Sequence, residues 1–245
     1  MKSSSHERSK LLAQAAANSI LADDNEGAVR TLQQLLSAKC EFSELDLVGK
    51  EIGHVGTGQP QKFFEAFDKI IDKGTMGGFV IVGRALTCFL ETDFQGVMQK
   101  SREYTIKGDE WYVCDIIGER SLGQALVDHF DETLPWLDAF LRDENKWVRR
   151  SAGVAVHFFG KRVVDDPVKT KKLLNLIEPY IEERDIDAVK GIGWGLKTIG
   201  RHHPGILVRF LKRQLRSRKR ISKLMVRKAL TYVDDDTKLE VGKYA

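Results

Sequence analysis

Trp147-Val148-Arg149-Arg150-Ser151-Ala152, Asp187-Ala188-Val189-Lys190-Gly191-Ile192 and Met225-Val226-Arg227-Lys228-Ala229-Leu230 carry one pattern in register, at steps of 40 and 38 residues. Self-similarity of this period marks a stacked helical repeat, in which neighbouring units bury faces that one unit cannot bury alone. The fourth position is basic each time, as Arg150, Lys190 and Lys228. Superposed repeats would align these cations as a stripe on one face, a surface suited to a polyanion.

Working outward, the repeat is a helical hairpin. Pro135 to Arg142 with Lys146 to Gly160 form the first copy, Val168 to Ile181 with Asp185 to Gly200 the second, and Pro204 to Leu215 with Ser222 to Val233 the third. Asp143-Glu144-Asn145 supplies a turn and an N-cap. Gly160 and Gly200 are placed to cap helix ends. Upstream, Trp111 to His129 reads as one long amphipathic helix broken at Gly118 or Gly123. Earlier helices are expected at Ser5 to Leu21, Glu26 to Ala38, Glu44 to Glu51, Pro60 to Asp72, Gly78 to Leu90 and Gln95 to Thr105, with Ile52 to Gly58 as a loop. No segment alternates in the manner of a strand. The expectation is an all-α fold of helical repeats stacked into a curved α-solenoid, one continuous domain over residues 1–245.

Composition narrows the function. The chain is 42% hydrophobic and 30% charged, which suits a globular protein. No apolar run approaches the roughly 20 residues of a bilayer span, and Met1 to Glu7 lacks the apolar core of a signal peptide. A monomer in the cytosol or nucleus, nucleoid-associated in a bacterium or archaeon, with no membrane partner, is expected. Cys40, Cys88 and Cys114 are too far apart for a zinc or redox centre and read as reduced thiols. The net charge of +4 conceals an asymmetry. Residues 1–140 hold 14 Lys and Arg against 22 Asp and Glu, a net of −8, while residues 141–245 hold 25 against 13, a net of +12. The second half is the one fitted to phosphates.

Three clusters carry possible chemistry. Trp111 and Asp115, four apart on one helix, share a face; the pair is either a displayed aromatic and acid or a core indole beside a structural carboxylate. Lys190, Trp194 and Lys197 fall at i, i+4 and i+7, a cation–aromatic face that fits a nucleic-acid backbone, although Gly191-Ile192-Gly193-Trp194-Gly195 also suits close helix packing around a core tryptophan. The densest charge is Lys212 to Lys223, including Arg216, Arg218, Lys219, Arg220 and Lys223. It reads as a phosphate clamp, a solvated loop or an import-like signal. The glycines at 191–195 follow no strand and form no dinucleotide fingerprint, and Gly53, Gly56 and Gly58 precede no Gly-Lys-Ser/Thr. Histidines with metal-ligand spacing are absent, so no metal or cofactor is expected.

The string Pro135-x-Leu137-x-x-x-Leu141-x-Asp143-x-x-x-x-Val148-Arg149-x-x-Ala152 resembles a HEAT repeat, in which the residue matching Arg149 ties one unit to the next. That leaves Arg150 as the functional candidate. Trp111-x-x-x-Asp115, Trp147-x-x-Arg150 and Ile192-Gly193-Trp194-Gly195-Leu196-Lys197 before Pro204 together resemble the HEAT-like repeat DNA alkylation repair glycosylases, the AlkD-like family, over roughly residues 76–235. The resemblance implies a monofunctional DNA glycosylase that removes cationic N3- or N7-alkylated purines from double-stranded DNA, without drawing the base into a pocket. It makes Asp115 the catalytic acid, Trp111 and Trp194 aromatic contacts to the lesion's sugar, and Arg150 a phosphate contact. Where that family often has arginine after the Gly-Trp motif, this chain has Lys197, which keeps charge but loses bidentate geometry. The rival reading is a non-catalytic repeat module that binds nucleic acid or protein.

Overall fold

The computed structural model describes residues 2–37 and 39–243, with side chains from residue 6 onward. Among them all regular structure is helical. The chain divides into two compact units, residues 1–121 and 122–245.

The first unit comprises α1 (Lys2–Leu21), α2 (Asn25–Ser37), α3 (Phe42–Gly56), α4 (Pro60–Ile71), α5 (Met76–Leu86), α6 (Phe94–Gly108) and α7 (Trp111–Ile117). Helices α1, α3, α5 and α7 pack side by side in one layer, and α2, α4 and α6 in a second. Phe63, Phe64, Phe67 and Phe89 seal the layers, with Phe67 stacked on Phe89 at 5.9 Å and Phe64 edge-on to Phe89 at 5.6 Å. The expected loop at Ile52 to Gly58 is instead largely helix, since α3 runs on to Gly56. Its glycines are packing sites: a Cβ on Gly49 would lie 2.2 Å from the Ile81 carbonyl oxygen, and one on Gly53 2.7 Å from that of Ala85. Only a bare Cα lets α3 and α5 approach so closely. Ala38, the expected end of the second helix, lies outside the described residues.

The second unit comprises α8 (Gly123–Asp128), α9 (Phe130–Leu141), α10 (Lys146–Arg162), α11 (Pro167–Ile177), α12 (Ile186–His202), α13 (Pro204–Arg216), α14 (Lys223–Ala229) and α15 (Asp235–Gly242). One layer is α8, α10, α12 and α14, and the other is α9, α11, α13 and α15. Aspartate and asparagine set the starts. Asn145 accepts from the Trp147 and Val148 amides, Asp166 from Lys169, Asp185 from Asp187 and Ala188, and Asp234 from Thr237, each cap contributing about 1 kcal/mol. Helix α9 begins five residues before Pro135, which sits inside it. The proline removes one backbone bond, to the carbonyl of exposed Asp131, without ending the helix. Gly160 and Gly200 are not caps, since their helices continue to Arg162 and His202.

Arg149 ties the repeats together. Its Nε donates to Glu183 Oε2 at 2.7 Å, and its Nη1 donates to the Asp143 and Glu144 carbonyls, both at 2.8 Å. One guanidinium thus clips the turn before α10 to the turn before α12, with both partners of the ion pair largely buried.

Candidate functional site

The first unit carries its candidate residues on α7. Asp109 in the left-handed region (φ 46°) reverses the chain after α6, and Glu110 precedes the first turn of α7. Val113, Cys114, Ile116 and Ile117 turn into the core. By the helical period, Trp111 and Asp115 then fall on the outer side. Trp111 is 56% exposed, with an edge contact to Tyr112 at 6.0 Å between centroids. Asp115 is half-buried, and the Cys114 thiol donates to the Trp111 carbonyl at 3.0 Å and faces Asp115 Oδ1 at 3.6 Å. The indole is therefore displayed; it is not a core side chain.

Behind α7, residues Gly118–Leu122 form a π turn, the break expected near Gly118. Arg120 on that turn grips Asp46 of α3 with two bonds, Nε to Oδ1 at 2.7 Å and Nη2 to Oδ2 at 3.1 Å, and its guanidinium lies over Phe42. Ser101 donates to Ser121, which donates to the Ile117 carbonyl. The outer face of α7 is thus held from beneath by a bidentate pair and a buried hydroxyl relay. π-Bulges recur at functional sites.

The second unit carries the cations. Helices α10 and α12 cross at glycine: a Cβ on Gly153 would fall 2.2 Å from the Gly191 carbonyl carbon, and one on Gly191 2.4 Å from the Arg150 carbonyl oxygen and 2.7 Å from Arg150 Cγ. Arg150 therefore lies along bare backbone and is only 8% exposed, against the expectation of a solvent-facing stripe. Lys190 is exposed and pairs with Asp187 at 3.2 Å, which also receives Lys146 at 3.2 Å. Partial burial opposes ionisation of Asp187, but the hydrogen bonds from Lys146 and Lys190 outweigh it and hold the carboxyl below its ordinary range.

Lys228 shows that the cations converge. Burial first, then the charges of Lys197, Arg150 and Lys190, push its ammonium below the usual lysine range. Cations from three successive repeats thus bear on Lys228, and a bound anion would relieve that repulsion.

Trp194 is half-buried and lies face to face with the His157 imidazole at 4.0 Å. His157 Nδ1 meets Thr198 Oγ1 at 2.6 Å, and Thr198 donates back to the Trp194 carbonyl. Burial first, then Lys161, Lys197 and Arg162, lower His157 to about 4, so the ring under the indole is neutral at pH 7. Lys197 lies 5.3 Å from the centre of the Tyr232 ring, as does Arg201. The sequence signalled neither His157 as a stacking partner nor Tyr232, because both contacts join different repeats.

The basic run is split. Arg216 is exposed at the end of α13, and Lys223 opens α14. Arg218 takes the left-handed conformation of the intervening turn (φ 58°). Lys219 donates to the Glu178 carbonyl at 3.0 Å, and the Arg220 amide donates to Glu182 at 2.6 Å. The turn after α13 is thereby stitched to the segment after α11, and of the five candidate cations the Lys219 ammonium sits against an acid, Glu178 at 3.9 Å. Cys114 is buried, and Cys40 and Cys88 half-buried. Among the described residues no group of three or more His, Cys, Asp or Glu could hold a metal, and no helix is long and apolar enough to cross a membrane.

A family model described as DNA alkylation repair enzyme matches residues 57–233. The chain belongs to that family. The match spans both α7 and the α10, α12 and α14 layer. Among solved structures, the fold is similar to the Pseudomonas fluorescens alkylpurine DNA glycosylase AlkC bound to DNA containing an abasic site analog. The TM-score is 0.65 at 16% identity, covering 97% of this chain and 66% of the other. The chain therefore spans just under two thirds of that protein's length. No curated protein matches the sequence.

Proposed function

We propose that this repair-family member is a monofunctional DNA glycosylase that excises cationic N3- or N7-alkylated purines from duplex DNA, acting as a cytoplasmic monomer whose repeats work as one continuous domain. The observation that carries the reading is the exposed Trp111 one helical turn from the half-buried Asp115. A large aromatic left in water beside a carboxylate serves no packing purpose.

Alkylation makes the purine a good leaving group, so breaking the glycosidic bond builds positive charge on the deoxyribose. The Asp115 carboxylate stabilises that charge and orients the attacking water. The Trp111 ring offers its negative face to the same developing cation, and Trp194, braced by His157, is a second aromatic contact to the lesion strand. Arg150, Lys190, Lys197 and Lys228 bind phosphates, with Arg216, Arg218, Lys219, Arg220 and Lys223 extending that contact.

The decisive experiment incubates methylated duplex DNA with the protein and with Asp115→Asn, measuring released base and alkali-labile strand breaks. Wild-type release that collapses in the variant supports the assignment. Release that survives Asp115→Asn removes the mechanism, and no wild-type release favours a non-catalytic DNA-binding module.

A further inference from the structure

A second basic surface lies in the other layer of the second unit, on helices that carry none of the α10, α12 and α14 cations. Between α11 and α13 runs a groove of about 400 Å³ with Lys171 and Leu174 on one wall and Ile206, Arg209, Phe210 and Arg213 on the other. It adjoins a second recess bounded by Lys212 and Arg216. Arg209, Arg213 and Arg216 recur at i, i+4 and i+7, so they line one face of α13 at intervals of roughly 5–6 Å.

Some of this charge is already neutralised. Arg213 pairs with Glu178 at 2.5 Å, and Lys212 with Glu240 at 2.5 Å. Lys171 and Arg209 are exposed and, among the described residues, make no ion pair or hydrogen bond. These two cations face each other across the groove.

We infer that the α11–α13 groove is a second nucleic-acid backbone site, separate from the α10, α12 and α14 face, that lets one molecule hold two duplex segments. The chemistry of the walls selects this partner over an acidic protein. Of the apolar lining, Leu174 and Phe210 are already buried and Ile206 is half-buried, so a partner's apolar side chains, on which helix-in-groove recognition depends, find one partial anchor. Arg209, Arg213 and Arg216 are exposed, and guanidinium forks take phosphate oxygens bidentately. The regular charge spacing along α13 suits the regular charges of a strand.

The test does not require base release; it rests on the proposed reading only in that the α10, α12 and α14 face holds the first duplex. A one-duplex stoichiometry that is unchanged by Lys190→Ala/Lys228→Ala but lost in Lys171→Ala/Arg209→Ala would place the failure on that face and not on the groove. A biotinylated unmodified duplex captures the protein, and co-capture of a second, fluorescent duplex is measured alongside the binding stoichiometry. We expect wild type to co-capture at low salt. Lys171→Ala/Arg209→Ala should weaken co-capture about tenfold at 0.2 M salt and reduce the stoichiometry from two duplexes to one, with an unchanged melting curve. Both side chains are partnerless surface groups, so folding is not at stake. Any other failure of wild type to hold two duplexes, or full co-capture by folded Lys171→Ala/Arg209→Ala, overturns the inference. Binding of poly-glutamate that is lost in the variant, with DNA stoichiometry unchanged, would make the groove an acidic-protein surface instead.

Discussion

Helices α7 and α12 each present a tryptophan, and they treat it in opposite ways. Trp111 on α7 is more than half exposed, edge-on to Tyr112, beside a carboxylate, in the half of the chain that carries the acidic excess. Trp194 on α12 is half-buried, clamped face to face on a neutral imidazole, among cations in the basic half. A ring left free can adapt to a reacting sugar; a ring braced on both its face and its backbone can only define a fixed edge. On the proposed function the contrast would separate two tasks, bond cleavage from α7 and anchoring from the α12 layer, and mutations in the two regions should then fail in different observables.

Asp115→Asn gives the largest expected effect. It should lower the single-turnover rate of base release about a hundredfold to a thousandfold, the range for loss of one electrostatic stabiliser, while leaving duplex affinity within about threefold. Lys190→Ala/Lys228→Ala should do the reverse. Its slope of log affinity against log salt should be shallower by roughly 2, about 0.9 per lost phosphate contact, with the rate at saturating DNA retained. A double variant that loses rate at saturation and keeps its salt slope would break the division of labour.

The brace under Trp194 should be visible as acid sensitivity. An unfolded imidazole titrates near its ordinary 6.5, whereas His157 in the fold titrates at about 4. Between those values the unfolded chain binds the extra proton, so stability is intact above pH 6.5, falls as the pH drops, and levels off below about 4. The loss is on the order of 3 kcal/mol. His157→Phe keeps a ring beneath the indole and cannot titrate, so its melting temperature should be flatter over that window. An equal decline in the variant would assign the acid sensitivity elsewhere.

The α10–α12 pair was legible because its signals are local and repeat in register. The cap residues Asn145 and Asp185, the apolar spacing and the arginine pair at 149–150 each occur within one hairpin, and the 40-residue step checks them against one another. Glycine was the ambiguous letter. At Ile52 to Gly58 it resembled a loop, yet Gly49 and Gly53 are where α3 meets α5; sequence cannot distinguish glycine needed for a turn from glycine needed for contact. Helix α15, beyond Val233, carries little amphipathic signal and escaped notice. Exposure of Trp111 and burial of Arg150 were not readable at all, since each depends on what the adjacent helix leaves uncovered.

Two glycines of one run sharpen that point. Gly191→Ala drives a methyl into the Arg150 carbonyl and should destabilise by about 1–3 kcal/mol, shifting the anchoring face with it. At Gly193 the added Cβ meets the Lys228 side chain, 3.0 Å from Cδ and 3.3 Å from Cβ, with the Met225 Cα farther off at 3.6 Å. No backbone atom is closer, so Gly193→Ala should cost clearly less than Gly191→Ala, part of it offset by better helix propensity. Equal costs at the two positions, measured by denaturant melts, would mean that the α10–α12 crossing is looser than this geometry.

The smallest effect is the most diagnostic of what the α12 layer is for. Lys228 is held among Lys197, Arg150 and Lys190, and burial with their repulsion lowers its proton affinity. The charged form is therefore disfavoured by folding; its cost is present at neutral pH and is relieved as the pH rises through the lowered value toward 10.5. Lys228→Met keeps the stem and removes the charge, so the free protein should melt about 1–2 °C higher, with the gain shrinking in high salt as the repulsion is screened. The same variant should bind duplex DNA more weakly. A residue whose removal stabilises the empty protein and weakens the complex is one retained for its anion. If Lys228→Met instead lowers the melting temperature at low salt, the cations are not crowded, and convergence on a phosphate no longer explains why three repeats keep a base at this position.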